Sequence, residues 1–241
     1  MTSPSLPRLL DALEATWPPA ARWQLGPFTL RDGAGGGKRV SAATLEGDFS
    51  AADIDTAEAA MRAAGQAPLF RLADQPRLDA ALAARGYALV DPTLLYVAPA
   101  ASLAEAPRPV SLLSCWPPLA IQRQLWRDAG IEAPRLAVMA RASEPHLAFI
   151  ARFQNRAAGV AFAALDGPVA MLHALEVEPG FRRQGVARYM LRGIAHWAAG
   201  AGAEWFALAV TEQNLAARGL YSALNMAEAG RYHYRQLADT P

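Results

Sequence analysis

One cysteine in 241 residues removes two possibilities at once. Cys115 cannot close a disulfide within the chain, and alone it cannot supply a cysteine-based zinc site. Long apolar runs are also missing. Every hydrophobic stretch is interrupted well short of the roughly 20 residues that a bilayer-spanning helix needs, so no membrane partner is expected. An excess of one charge is missing as well. The 23 basic and 22 acidic side chains leave a formal charge of +1, which provides no basic field for nucleic acid. The stretch from Met1 to Pro19 carries Arg8, Asp11 and Glu14 among its leucines. It lacks a secretory layout and reads as a short helix, so the cytoplasm is the expected compartment.

A hydrophobic share of 53% is present in abundance. It suits one large domain or two small ones, each with its own core. In the first half, residues 27–31 and 39–45 read as strands joined by the glycine-rich loop from Gly33 to Gly37. That loop is no Walker motif, because Asp32 and Arg39 stand where Gly and Ser or Thr are required. A helix is expected over residues 52–64, a strand over 68–72, a second helix over 75–85 closed by Gly86-Tyr87, and strands over 88–90 and 93–97. The proline-bearing stretch from Pro99 to Pro109 reads as a linker. In the second half, residues 117–129 and 134–142 are expected to be helical. Strands are expected over 146–153, 158–164 and 169–177, joined by short turns.

Residues 175–187, Leu-Glu-Val-Glu-Pro-Gly-Phe-Arg-Arg-Gln-Gly-Val-Ala, carry the strongest signal. A short apolar strand ends at Val177, a Pro-Gly turn follows, and a basic loop opens a long amphipathic helix. The first N–H groups of a helix have no partner within it, and the helix dipole favours an anion there. Gly185 would let a ligand approach the backbone, and Arg182 and Arg183 add charge.

The spacing Arg182-x-x-Gly185-x-Ala187 resembles the acyl-CoA pyrophosphate loop of the GCN5-related N-acetyltransferases, the GNAT family. A second resemblance follows the apolar stretch from Trp205 to Val210: Asn214-x-x-Ala217-x-x-Leu220-Tyr221 is similar to that family's Asn-x-x-Ala-x-x-Leu-Tyr helix. Together they cover about residues 108–238. One departure is Asn225-Met226 where the family usually has Gly-Phe; asparagine is the next-best residue for a left-handed helix end. The resemblance implies an α/β (α+β) fold, with a mixed, mostly antiparallel central sheet flanked by helices.

Strand, helix and turn recur in the same order at Leu69–Tyr87 and Phe206–Met226, which reads as a diverged duplication. The expected layout is a degenerate GNAT-like half over residues 1–98, a linker over 99–109 and a catalytic half over 110–241. The acidic loop Glu46-Gly47-Asp48-Phe49 would repel a pyrophosphate, so the first half is expected to pack against the catalytic half or to line the acceptor cleft.

The resemblance further implies acetyl transfer from acetyl-CoA to a primary amine in a ternary complex. The acceptor is a small molecule or a peptide amine, and the protein a monomer or homodimer. Backbone groups of Arg182, Arg183, Gln184, Gly185, Val186 and Ala187 would hold the phosphates. The strand edge at Leu175 and Val177 would pair with the pantetheine arm, with a splay after Val177 making room. Asn214 would hold a loop or the cofactor. Tyr221 would be the general acid, or alternatively a core tyrosine. For the base, strand parity sets His173 on the side of Leu175 and Val177, where it reads equally as a sheet-face histidine. Glu176 falls on the opposite face unless a bulge re-aims it. A non-catalytic acyl-CoA-binding or scaffold protein is the competing reading.

Overall fold

The computed structural model describes residues 2–237. Its strands are β1 (Ala21–Leu25), β2 (Phe28–Asp32), β3 (Thr44–Leu45), β4 (Leu69–Leu72), β5 (Ala88–Pro99), β6 (Leu112–Cys115), β7 (His146–Phe153), β8 (Arg156–Asp166), β9 (Val169–Val177), β10 (Trp205–Thr211) and β11 (Ala227–Gln236). Its helices are α1 (Leu6–Thr16), α2 (Lys38–Ser41), α3 (Ala51–Ala63), α4 (Pro76–Ala84), α5 (Ala100–Leu103), α6 (Ala120–Asp128), α7 (Ala133–Met139), α8 (Val186–Gly200) and α9 (Leu215–Ser222).

The chain forms two compact units, and neither is contiguous. Among the described residues, one contains 2–18 and 95–230, the other 19–94 and 231–237. The contiguous division expected from the sequence differs from this for two reasons. Helix α1 packs on β8 and β9, far along the chain. Strands β5 and β11 each pass from one unit into the other. The expected linker is also more than a tether. Within it, α5 buries Ala100 and Leu103, Ala100 N–H donates to the Glu204 carbonyl at 2.8 Å, and Glu105 pairs with Arg192.

In the larger unit the strands lie in the order β5, β10, β9, β8, β7, β6. β6 to β9 run antiparallel, while β9 and β10 are parallel. Helix α8 covers one face. It buries Val186, Met190, Leu191, Ile194 and Ala198, the stripe expected from their helical spacing. A Cβ on Gly159 would lie 2.9 Å from the Met190 sulfur, so this glycine sets how closely α8 approaches β8. Helix α1 covers the opposite face, burying Leu9, Ala12, Leu13 and Thr16.

The smaller unit packs Phe28, Leu30, Ile54, Phe70, Leu82 and Tyr87 into one core. β1 and β2 form a hairpin. The strand expected over residues 39–45 is only Thr44–Leu45, because the chain makes a helical turn at Lys38–Ser41 after Gly37, whose φ is +98°. A β3–α3–β4–α4–β5 sequence follows, and the order β9–α8–β10–α9–β11 repeats it later in the chain. The closures match too. Gly86 (φ +85°) and Asn225 (φ +55°) are both left-handed. The next N–H reaches back five residues in each case, Tyr87 to Leu82 at 3.1 Å and Met226 to Tyr221 at 3.0 Å. This is the bonding of a Schellman helix end.

The end of β11 is held to α4 by charge. Asp79 accepts from Arg235 Nε at 2.7 Å and from His233 at 2.8 Å. The Arg235 hydrogen bond, with His233 in support, holds the Asp79 pKa down to about 2. Stability from this group is fully present above the ordinary carboxylate pKa and lost as pH falls through about 2. Asp79→Asn is therefore expected to lower Tm at pH 7, with the gap to the wild type closing between about pH 4 and pH 2. Thermal melts across that range check it; a gap independent of pH would mean the pairing contributes nothing.

Candidate active site

Strand β9 is regular up to His173 and irregular beyond it. Against β8, Val177 faces Gly159 and Glu176 faces Val160, yet His173 already faces Phe162. Ala174 and Leu175 thus share the single partner Ala161, which is a β-bulge. Ala174 takes up the extra residue with φ +49°, a left-handed conformation of the sparsely populated kind that costs about 1–3 kcal/mol outside glycine. Its carbonyl accepts the indole N–H of Trp126 at 2.9 Å. The bulge reverses the expected parity: Glu176 now shares a face with His173, and Val177 points to the other side.

The same irregularity opens the sheet earlier than expected. β9 pairs with β10 from Val169–Trp205 to Leu172–Leu208. The splay therefore begins after Leu172 rather than after Val177, and the half-buried edge from Leu175 to Val177 borders it. Arg182 folds back on the strand end, its Nε donating to the Val177 carbonyl at 3.0 Å.

After β9 comes a turn of 3-10 helix over Pro179–Phe181, then an exposed loop over residues 182–185. Arg183 has φ +62° and Gly185 φ +85°. Gly185 is the N-cap of α8, and no side chain caps that end. The first helical bond there is Tyr189 N–H to the Gly185 carbonyl at 3.1 Å, so the amides of Val186, Ala187 and Arg188 precede it. A Cβ at Gly185 would meet nothing within 4 Å, so the space above the helix start is open. The corresponding helix of the first half is closed. Ser50 caps α3 and Asp53 bonds back to the Ser50 N–H at 2.8 Å. Those hydrogen bonds hold the Asp53 carboxylate below its usual pKa. The chain's own anion already occupies the place where an outside anion would bind.

A cavity of about 500 Å³ lies beside the end of β9. Ile121, Leu125 and Asp128 of α6 form one wall, and Glu176, Val177 and Arg182 line the opposite side. Burial pushes the Glu176 carboxyl above the ordinary range, with Arg182 and Arg135 pulling the other way. Glu178, at the rim, lies 3.5 Å from Arg156. Tyr221, on α9, is 7% exposed. Its ring lies 5.5 Å from that of Tyr96. Burial first, then the negative charge of Glu176, pushes its hydroxyl up to about 12.

Two expected site residues have structural partners. His173 is 4% exposed, stacked near Trp17 at 5.0 Å and 2.8 Å from the Thr16 hydroxyl. That hydroxyl donates to the Ala12 carbonyl at 2.6 Å. It can then only accept from His173, which places a proton on Nε2. His173 lies under α1, outside the cavity lining. Asn214 caps α9, accepting from the Ala217 N–H at 3.1 Å.

The Acetyltransferase (GNAT) family model matches residues 110–226. Residues 110–226 belong to the GNAT acetyltransferase family. No curated protein matches the chain. Among solved structures, a GCN5-related N-acetyltransferase from Kribbella flavida superposes with a TM-score of 0.74 at 16% identity, over 99% of this chain and 98% of that one. A GNAT-family protein from Novosphingobium aromaticivorans gives 0.58 at 17% identity, over 96% and 95%. A tandem GNAT protein from the clavulanic acid biosynthesis pathway gives 0.59 at 14% identity, over 95% and 86%. The chain therefore has the GNAT fold, and the likeness to a tandem member spans nearly its full length.

Within the GNAT domain, the structure sets the loop from Arg182 to Ala187 directly after the strand edge at Leu175 and Val177, with Arg182 bonded to the Val177 carbonyl. It leaves His173 apart and adds Glu176, which simple alternation along a strand had turned away. The cause lies in the backbone at Ala174, a residue whose identity gives no hint of a left-handed conformation. Trp126, which holds that backbone, lies on the helix expected over residues 117–129, far from β9 in sequence.

Proposed function

We propose that the GNAT domain transfers the acetyl group of acetyl-CoA to a primary amine bound in the cavity beside β9. The observation that carries this reading is the position of Glu176: it lines the cavity and is close enough to Tyr221 to raise its pKa. An ammonium of pKa about 10.4 must lose a proton before it can attack. A carboxyl raised by burial is a better acceptor for that proton than an ordinary one. The amine nitrogen then attacks the thioester carbonyl, the carbon–sulfur bond breaks, and the leaving thiolate takes a proton from Tyr221; the second proton, shed by the nitrogen as the amide forms, returns to the Tyr221 phenolate, and the proton held by Glu176 leaves to solvent.

The two groups support one another. At about 12 the Tyr221 phenol stays protonated at neutral pH and remains a donor. Part of that elevation comes from the Glu176 charge. Once Glu176 has taken the amine proton that charge is gone, and Tyr221 becomes more acidic as the thiolate leaves. On this reading the pyrophosphate sits on the uncapped start of α8. Arg182 exchanges the Val177 carbonyl for a phosphate oxygen, and the edge at Leu175 and Val177 pairs with the pantetheine arm. Asn214 holds α9, and with it Tyr221. The cavity volume suits a small-molecule amine or the end of a peptide.

Thiol release from acetyl-CoA with a panel of primary amines tests the reading. Tyr221→Phe is expected to lower kcat by about 100-fold while leaving KM for acetyl-CoA unchanged. Equal loss in both would make Tyr221 a structural residue. Release with no amine in the panel, despite bound acetyl-CoA, would oppose transfer to amines.

A further inference from the structure

Glu176 shares the face of His173 because β9 carries one residue more than β8 between His173 and Glu176. That arrangement is held at a single strained residue, Ala174, with φ +49°. A regular strand would relieve the strain and turn Glu176 to the face covered by α8, so something must hold the bulge in place. Trp126 is placed to do so. It is fully buried, and its indole N–H ends 2.9 Å from the Ala174 carbonyl. The indole has one donor, and it is spent on the one residue whose conformation decides the direction of Glu176. Helix α6 thus does two things: its Ile121, Leu125 and Asp128 line the cavity, and its Trp126 holds the opposing strand.

We infer that Trp126 is a positioning residue for Glu176, acting through its hydrogen bond to the bulge at Ala174. This rests on the reading of Glu176 as the base. Without the bond, β9 is free to shift at residues 174–176, and the carboxylate no longer stays in the cavity. The charged groups that face or flank Glu176 are Arg182 from the loop, Arg135 from α7, Asp128 from α6 and the Glu178–Arg156 pair at the rim, with Tyr221 from α9. None of them changes when Trp126 is replaced, so a change in the titration of Glu176 reports its position.

The test uses the full chain with carbon-13-labelled glutamate, the Glu176 carboxyl signal being assigned by its absence from Glu176→Gln. Trp126→Phe removes the donor and part of the ring. Site-specific replacement of Trp126 by 3-benzothienylalanine, which carries sulfur in place of the indole N–H, keeps the shape and serves if the phenylalanine variant does not fold. In either variant the Glu176 midpoint is expected to fall toward that of an exposed glutamate. Thiol release is expected to fall by about 10- to 100-fold at unchanged KM for acetyl-CoA. A Glu176 midpoint and turnover equal to the wild type in the isostere would overturn the inference. If Glu176→Gln itself keeps full turnover, the assignment of the base fails instead, whatever the Trp126 variants do.

Discussion

Glutamine in place of Glu176 is expected to lower kcat by about 10²–10⁴-fold and, in the same variant, to raise Tm. The first effect follows from loss of a general base at the reacting amine. Glutamine keeps the size of the side chain and its hydrogen-bonding capacity but cannot take a proton, so acetyl-CoA binding should survive. The second follows from the direction of the pKa shift. Burial holds the folded-state value above that of an unfolded-chain glutamate, so the folded protein binds this proton more tightly. The penalty for burying the charged form is absent below the unfolded-state pKa, grows between the two values and is complete above the folded one. At neutral pH the wild type carries it and the glutamine variant does not. The wild-type profile of kcat/KM should also fall on the acid side at a pH above the ordinary carboxylate range, and that limb should vanish from what activity the variant retains. Unchanged kcat together with unchanged Tm would mean that Glu176 is neither the base nor a strained charge.

The second large effect is expected at Gly185. Its φ of +85° puts most side chains under strain, so a large replacement would confound charge with backbone cost. Asparagine and aspartate both tolerate the left-handed region and differ essentially in charge. No atom lies within 4 Å of a Cβ there, so both should fold. Gly185→Asp sets a carboxylate at the start of α8, where the coenzyme phosphates are proposed to lie. Losing one charge-assisted hydrogen bond there costs about 1.5–3 kcal/mol, and repulsion adds to it. At about 1.4 kcal/mol per decade, the affinity for acetyl-CoA should fall by roughly 100-fold or more. Gly185→Asn should lose far less. Equal losses in the two would show that backbone shape, and no anion, governs the site.

How much of this could be read from the residues depends on where the information lies. The loop from Arg182 to Ala187 was legible because its glycine, its arginines and the apolar stripe of α8 are all features of composition and spacing. The left-handed end at Asn225 was legible for the same reason, since few residue types tolerate that conformation. The acidic character of the first half's loop was visible in Glu46 and Asp48. Its closure is more specific, because the capping of α3 by Ser50 and Asp53 fills the helix start with the chain's own groups. The bulge was not legible. Alternation along a strand is a local rule, whereas the bulge is a mismatch in length between β8 and β9, held by a tryptophan about 50 residues earlier in the chain. The interrupted units were also out of reach of a linear reading, because strands β5 and β11 run through both and α1 packs on strands that come after residue 150.

Calorimetric titration of acetyl-CoA into the wild type, Gly185→Asp and Gly185→Asn tests the central claim most directly: one coenzyme site, at the start of α8, and none at the self-capped α3. The expected result is a stoichiometry of one per chain, lost in the aspartate variant and largely kept in the asparagine variant. Two sites per chain, no binding at all, or a single site indifferent to the charge at residue 185 would contradict it.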